Sequence, residues 1–298
     1  MIPSSANPAV PPRAQRYRGI RMLEVLRTVE VTPRMRRVTF GGAELEGFGE
    51  GPNLKLLIPP PHLAVPELPV TGADGRAIWP PDERKPTVRT YSLRAHRPEQ
   101  GEIDVDFVLH GNGGVAASWA AQAKRGDIVG IGGPGGRTVT QADWYLFAGD
   151  HSALPAIAAM LEKLPAQARG RAFIEVSDAA EQQPLNTKAD IEIVWLHRNG
   201  MPADGGSLLP DAVLGTSWPD AGRVFAWAGC ESSAVRTIRA HWRDERRLDR
   251  RHILAIGYWR RGMTEQAYKD AFNNDRDEDY YRAMEMEKKT QVSPIEGD

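Results

Sequence analysis

The chain has 298 residues and a formal net charge of −1. That length supports two domains of ordinary size, and the near-neutral balance gives no overall attraction to nucleic acid or to a membrane surface. A single cysteine excludes an internal disulfide framework and an iron–sulfur centre held by four thiolates of this chain.

Residues 1–16, rich in proline, serine and alanine, read as a disordered lead-in with no secretory signal. No run approaches the roughly 20 apolar residues of a membrane helix, so a cytoplasmic protein is expected. From 17 to 138 the pattern is of short strands, at 21–31, 36–41, 54–58, 88–93, 103–109 and 128–132, with one helix between the last two. Closely spaced strands with one inserted helix predict a small antiparallel barrel. The proline-rich connection over 59–86 is too long for a hairpin loop and reads as a lid or a mobile segment.

Within the fourth strand stands Arg89-Thr90-Tyr91-Ser92-Leu93-Arg94. Alternation puts Arg89, Tyr91 and Leu93 on one face. A guanidinium can grip a phosphate while a tyrosine ring lies against a flat ring system, and Thr90 and Ser92 keep hydroxyls and amides for hydrogen bonds. FAD, a fused ring joined to a pyrophosphate, fits that pair. Two solvated arginines on an ordinary strand fit it as well.

The next strand runs through His110 into Gly111-Asn112-Gly113-Gly114, and then into Val115-Ala116-Ala117-Ser118-Trp119 at a helix start. Strand, glycine turn and helix N-terminus offer bare amides and a positive dipole end to a phosphate. A tight turn alone needs the same glycines.

After residue 139 the rhythm changes to apolar strands alternating with helices, the signature of a parallel sheet covered on both faces and extending to 263. Its strands are expected at 144–148, 171–176, 191–196, 223–228 and 252–257, with helices at 153–164 and 232–247. The loop from Gly149 to Pro155 follows a buried strand, where parallel sheets bind ligands, and Asp150 or Ser152 can cap the helix behind it. Both also read simply as a helix start. The acid-rich tail, 264–298, is expected to form a terminal helix with a frayed end.

The segments RTYSLR, DFVLHGNGGVAASWAAQAKRGDIVGIGGPGG, YLFAGDHSALPAIAAMLEKLP and VFAWAGCESSAVRTIRAHWRDE, then ILAIGYWRRG, resemble the siderophore-interacting protein family in order and spacing over about 17–264. The resemblance implies an FAD-dependent ferric-siderophore reductase of ferredoxin-reductase architecture: an FAD-binding barrel followed by a nicotinamide-binding α/β domain. It implies FAD contacts from Arg89, Thr90, Tyr91, Ser92, His110 and the run Gly113, Gly114, Val115, Ala116, Ala117, Ser118, Trp119. It places Asp150, Ser152 and Ala153 beside the flavin and nicotinamide path, with Gly229 and Glu231 under part of the dinucleotide. Lys55, Arg137, Arg260 and Arg261 become cationic candidates for a ferric siderophore, although each alone reads as a solvated surface cation. Tyr258 and Trp259 suit either the flavin and siderophore or the core.

On this reading, electrons pass from NAD(P)H or a ferredoxin through the flavin to Fe(III), with no catalytic acid or base from the chain and with a monomer as the working form. Two departures stand out: Gly135 where the family often has a basic residue, and the helix start Gly114-Val115-Ala116-Ala117, with its serine delayed to Ser118. The residues leave two rivals open: a general flavin reductase without siderophore preference, and a siderophore-binding protein without turnover. No full Gly-x-Gly-x-x-Gly fingerprint is present, so NADH and NADPH are not distinguished. Cys230 is expected to be a buried filler.

Overall fold

The computed structural model describes residues 12–109, 114–203 and 206–292. It divides into two compact units at Gly136–Arg137.

In the first unit the strands are β1 (Arg21–Thr32), β2 (Met35–Gly41), β3 (Asn53–Ile58), β4 (Val70–Thr71), β5 (Ala77–Ile78), β6 (Thr87–Ser92), β7 (Ala95–Arg97), β8 (Glu102–Val108) and, after helix α1 (Val115–Gln122), β9 (Ile128–Gly135). Seven of them form one antiparallel sheet in the order β6-β3-β9-β1-β2-β8-β7. Its end strands β6 and β7 are joined by Leu93-Arg94 alone, which curls the sheet into a barrel. That corner is stitched to both sides: the Leu93 amide donates to Pro52 O (2.8 Å) and the Arg94 amide to Asp104 O (3.0 Å). Period-two alternation turns Leu23, Val25, Val38, Phe40, Ile103, Val105 and Phe107 inward, and α1 packs Ala116, Ala120 and Trp119 onto them.

Two expectations need correction here. The 59–86 connection is tied into the fold rather than loose: it contains the β4–β5 pair and buries Leu68 against Ile20 and Leu57. Arg16, expected in the lead-in, is 6% exposed and ion-pairs Glu44.

The second unit holds β10 (Trp144–Asp150), α2 (Leu154–Leu161), β11 (Arg169–Val176), β12 (Asp190–His197), α3 (Leu208–Leu214), β13 (Val224–Glu231), α4 (Ser232–Ala240) and β14 (Ile253–Trp259). The sheet is parallel, in the order β12-β11-β10-β13-β14. Tyr145, Leu146, Phe147 and Ala148 are all buried, as a strand covered on both faces requires. Short α3 is an element that sequence pattern missed, and α4 widens into a π-turn over His241–Glu245 rather than running straight to 247.

The tail differs from expectation in being two helices, α5 (Glu265–Phe272) and α6 (Glu278–Val292), separated by left-handed residues at Asn273 to Asp275. It is docked on the second unit: Tyr268 is fully buried, and Arg250 ion-pairs Asp279 at 3.0 Å.

Candidate functional site

In the first unit, the β3–β6 register pairs Arg89 with Leu56 and Tyr91 with Leu54, while Thr90 faces Lys55 and Ser92 faces Asn53. Directly opposed residues share a face. Arg89 and Tyr91 therefore lie on one side, with core residues, and Thr90 and Lys55 on the other, where Lys55 Nζ donates to Thr90 Oγ1. Tyr91 is half-buried, its ring 4.5 Å from that of Phe107, which in turn is 5.9 Å from Trp119 of α1. This aromatic chain links the Tyr91 strand to the inserted helix. Arg89 is also half-buried and donates from Nη1 to Val88 O at 2.9 Å. Ser92 is buried.

Helix α1 opens at Gly114; among the described residues no side chain caps it and none lies within 4 Å of where a Cβ on Gly114 would point. Val115 and Ser118 are exposed, and Ala116 and Ala117 are buried. His110 and Gly113 lie outside the described residues. A guanidinium and a phenol ring on one strand face, the ring joined through tilted aromatic contacts to a helix start, fit a flat ring carrying a pyrophosphate. The residues present fit FAD.

In the second unit, the carboxyl ends of the strands gather a set of polar groups. Asp150 does not cap α2 directly: the N-cap is Ala153, and Asp150 instead closes a turn in which Oδ1 accepts from Ser152 N (2.9 Å) and Oγ (2.5 Å). Its Oδ2 accepts from Glu231 N (3.0 Å) and Trp259 Nε1 (2.7 Å). Burial pushes the Asp150 carboxyl up from its ordinary value, while the Ser152 and Trp259 hydrogen bonds pull it back. Glu231 caps α4 through Ser233 N. Gly149 and Gly229 sit side by side in register, and a Cβ on either would strike Ala153 Cβ, at 2.9 and 3.2 Å. At Gly229 protein packing alone already calls for glycine, since a Cβ there would also lie 2.6 Å from the Trp227 ring.

Sequence reasoning missed Glu175, near the end of β11. Burial and the nearby Asp150 charge push its carboxyl up to about 7, although Arg198 Nε lies 3.3 Å away. A lone acid inside the apolar run Ala172-Phe173-Ile174-Glu175-Val176 was the available signal. Burial raises the Cys230 thiol well above its ordinary value, which leaves it a protonated filler.

The cationic candidates separate. Arg137 is 4% exposed and donates to Ile253 O, at the amino end of β14, with its guanidinium over the Tyr280 ring. It is thus a buried cation at the amino end of β14 rather than a solvated surface one. Arg260 stands beyond the carboxyl end of β14, 4.1 Å over the Phe272 ring and 3.3 Å from Ser232 Oγ, and Arg261 beside it is exposed. Tyr258 meets Trp227 edge-on at 6.1 Å. Among the described residues, no helix is long and apolar enough to cross a membrane, and no cluster of metal-ligating side chains is present.

Residues 24–138 match the model of the siderophore-interacting FAD-binding domain, and 142–262 that of the siderophore-interacting protein. The chain is 36% identical over 266 residues to the ferric vibriobactin reductase ViuB of Vibrio cholerae, covering 87% of this chain and 96% of that protein. It is 30% identical over 260 residues to the NADPH-dependent ferric-chelate reductase of Escherichia coli, covering 85% and 97%. The crystal structure of a siderophore utilization protein from T. fusca superposes with a TM-score of 0.74 at 38% identity, covering 82% of this chain and 94% of that one. At 15% identity, phthalate dioxygenase reductase shares the fold, with a TM-score of 0.53 over 83% of this chain and 71% of its own. With both units matched and nearly full-length relatives at 30% identity or more, the chain belongs to the siderophore-interacting protein family.

Proposed function

We propose that the protein is an FAD-containing ferric-siderophore reductase that draws electrons from NAD(P)H, or from a ferredoxin, and works as a monomer. The observation that carries this reading is a full-length likeness to ferric reductases in a chain whose first unit sets Arg89 and Tyr91 on one face of β6 and joins Tyr91 through Phe107 to Trp119 of α1.

Bound FAD supplies the chemistry that divides a donated electron pair into the single electrons that Fe(III) takes. The protein's part is binding and electrostatics. Arg89 and the first amides of α1 neutralise the pyrophosphate, and the half-buried Tyr91 ring gives the isoalloxazine a flat platform backed by Phe107. In the first unit Lys55, and in the second Arg260 and Arg261 beyond β14, are each a cation that would attract an anionic ferric siderophore. Each needs only to hold charge, so no side chain acts as acid or base. Fe(II) is held far more weakly than Fe(III) by the hard oxygen donors of a siderophore, so reduction releases it.

Purified protein should show an oxidised-flavin spectrum that bleaches anaerobically with NADH, NADPH or a reduced ferredoxin and returns on adding a ferric catecholate siderophore. A colourless protein that binds the siderophore but never FAD would overturn this. Equal rates with ferric EDTA and ferric siderophores would favour a reductase without siderophore preference.

A further inference from the structure

The Asp150 carboxylate joins three elements at the ligand-binding end of the parallel sheet. One oxygen takes the Ser152 amide and hydroxyl, which fixes the turn into α2; the other takes the Glu231 amide, at the start of α4, and the Trp259 indole, at the end of β14. Four donors use the roughly four lone-pair directions a carboxylate possesses. Asp150 is also buried. The carboxylate is therefore committed to the protein and is not available to grip a cofactor. The backbone shows the same arrangement: β13 and β14 keep a regular register until Cys230, then slip so that Glu231 pairs with Trp259. That slip brings the Trp259 ring to Asp150. A buried anion is costly unless every hydrogen bond to it is made, so this junction holds its partners in one geometry.

We propose that Asp150 is a positioning residue for the nicotinamide dinucleotide, holding the Trp259 indole and the first turn of α4 in the arrangement that receives it. This rests on the reading of the second unit as the donor-binding unit. Asp150 acts through Trp259 and Glu231 and touches neither cofactor nor iron. A preformed site saves the dinucleotide the cost of ordering these loops, so its loss weakens binding more than it slows later steps.

The test uses FAD-loaded full-length protein with Asp150→Asn and Trp259→Phe. Asparagine keeps the size but replaces one acceptor oxygen by a donor and removes the charge both donor pairs share, so the Glu231 amide and the Trp259 indole are held more weakly whichever way the amide turns. The indole N–H resonances of the 8 tryptophans are followed by NMR, with Trp259→Phe assigning the one of interest. In the wild type that resonance is expected downfield, as for an indole bound to a carboxylate, and to move on titration with NAD+ or NADP+. In Asp150→Asn it should move upfield, dinucleotide binding should weaken at least tenfold, and the donor KM should rise by more than kcat falls.

Wild-type dinucleotide affinity in Asp150→Asn, or a fall in kcat at unchanged KM, would overturn the proposal. If Asp150→Asn does not fold, Trp259→Phe decides: weakened binding supports the proposal, and wild-type binding overturns it. A wild-type protein that binds neither dinucleotide would instead sink the donor reading of the second unit, so the two failures are distinct.

Discussion

Tyr268 fills the space that Gly257 leaves: a Cβ on Gly257 would lie 1.7 Å from the Tyr268 hydroxyl oxygen and 2.8 Å from Asp275 Oδ2. The phenol donates to Asp275, which also accepts from Ser232 Oγ at 2.7 Å, so the tail is anchored at the start of α4. Tyr268 is fully buried and its ring is stiff, so it cannot swing aside. Gly257→Ala is expected to cost about 2 kcal/mol, as overpacking does, and to expose the tail to protease near residue 264. Tyr268→Phe should cost about 1 kcal/mol for the lost hydrogen bond. Removing the hydroxyl also makes room, so the double variant should be less destabilised than the two single costs combined, measured by urea midpoints. Simple additivity would remove the steric account.

At the proposed flavin site, Tyr91→Ala removes both a platform and a contact with Phe107, whereas Tyr91→Phe keeps the ring. Tyr91→Phe is therefore expected to retain FAD and Tyr91→Ala to lose it on dialysis. Arg89→Ala should weaken FAD binding by roughly tenfold to a hundredfold, the worth of one charge-assisted contact. Flavin fluorescence on release reads both. Undiminished flavin content in Arg89→Ala would remove that residue from the site.

The barrel and the parallel sheet were legible because alternation and continuous apolar runs are local signals: Ile103-Asp104-Val105-Asp106-Phe107 shows its inward face in its own spelling. What was not legible depended on long-range partners. The tail docks on the sheet because Gly257 admits Tyr268, and a glycine inside a strand hinted at a close approach without naming what approaches. Asp150 was legible as a residue at a ligand-binding loop, but not as one committed to Trp259, which lies 109 positions away. Arg137 read as a surface cation because its partners Ile253 and Tyr280 lie more than a hundred positions away. Glu175 was passed over because its neighbours spell an ordinary buried strand.

On the barrel's outer face, Asp104 is 4% exposed and accepts from Thr39 Oγ1 (2.8 Å) and from both terminal nitrogens of Arg97 (2.7 Å each). Burial alone would raise its carboxyl, but Arg97 and Thr39 outweigh it and hold the group below its ordinary value. A depressed folded value means that the stabilisation is present above the unfolded value of 3.8 and is lost as pH falls through the folded one. Asp104→Asn leaves Arg97 with Glu102 alone at the carboxylate end and should cost about 3 kcal/mol at pH 7. Urea unfolding at pH 7 and pH 3 should show the variant's deficit shrinking on acidification. A deficit independent of pH would mean that the carboxylate's charge contributes nothing.

Glu175 has the opposite sign. Its folded carboxyl is pushed up to about 7 from an ordinary 4.5, first by burial and then by the Asp150 charge, with Arg198 opposing. Below 4.5 the group is protonated in both states and costs nothing. As pH rises from there, the unfolded chain ionises before the folded one, so the unfolded state binds fewer protons and stability falls until the folded group also ionises near 7. The side chain is only 9% exposed, so screening by water is slight, and the loss is expected to approach about 3 kcal/mol. Glu175→Gln has no such proton to release. Between pH 5 and pH 8 the wild type should therefore lose stability relative to Glu175→Gln, with urea midpoints compared at each pH. Parallel profiles would show that Arg198 already keeps Glu175 ionised throughout that range.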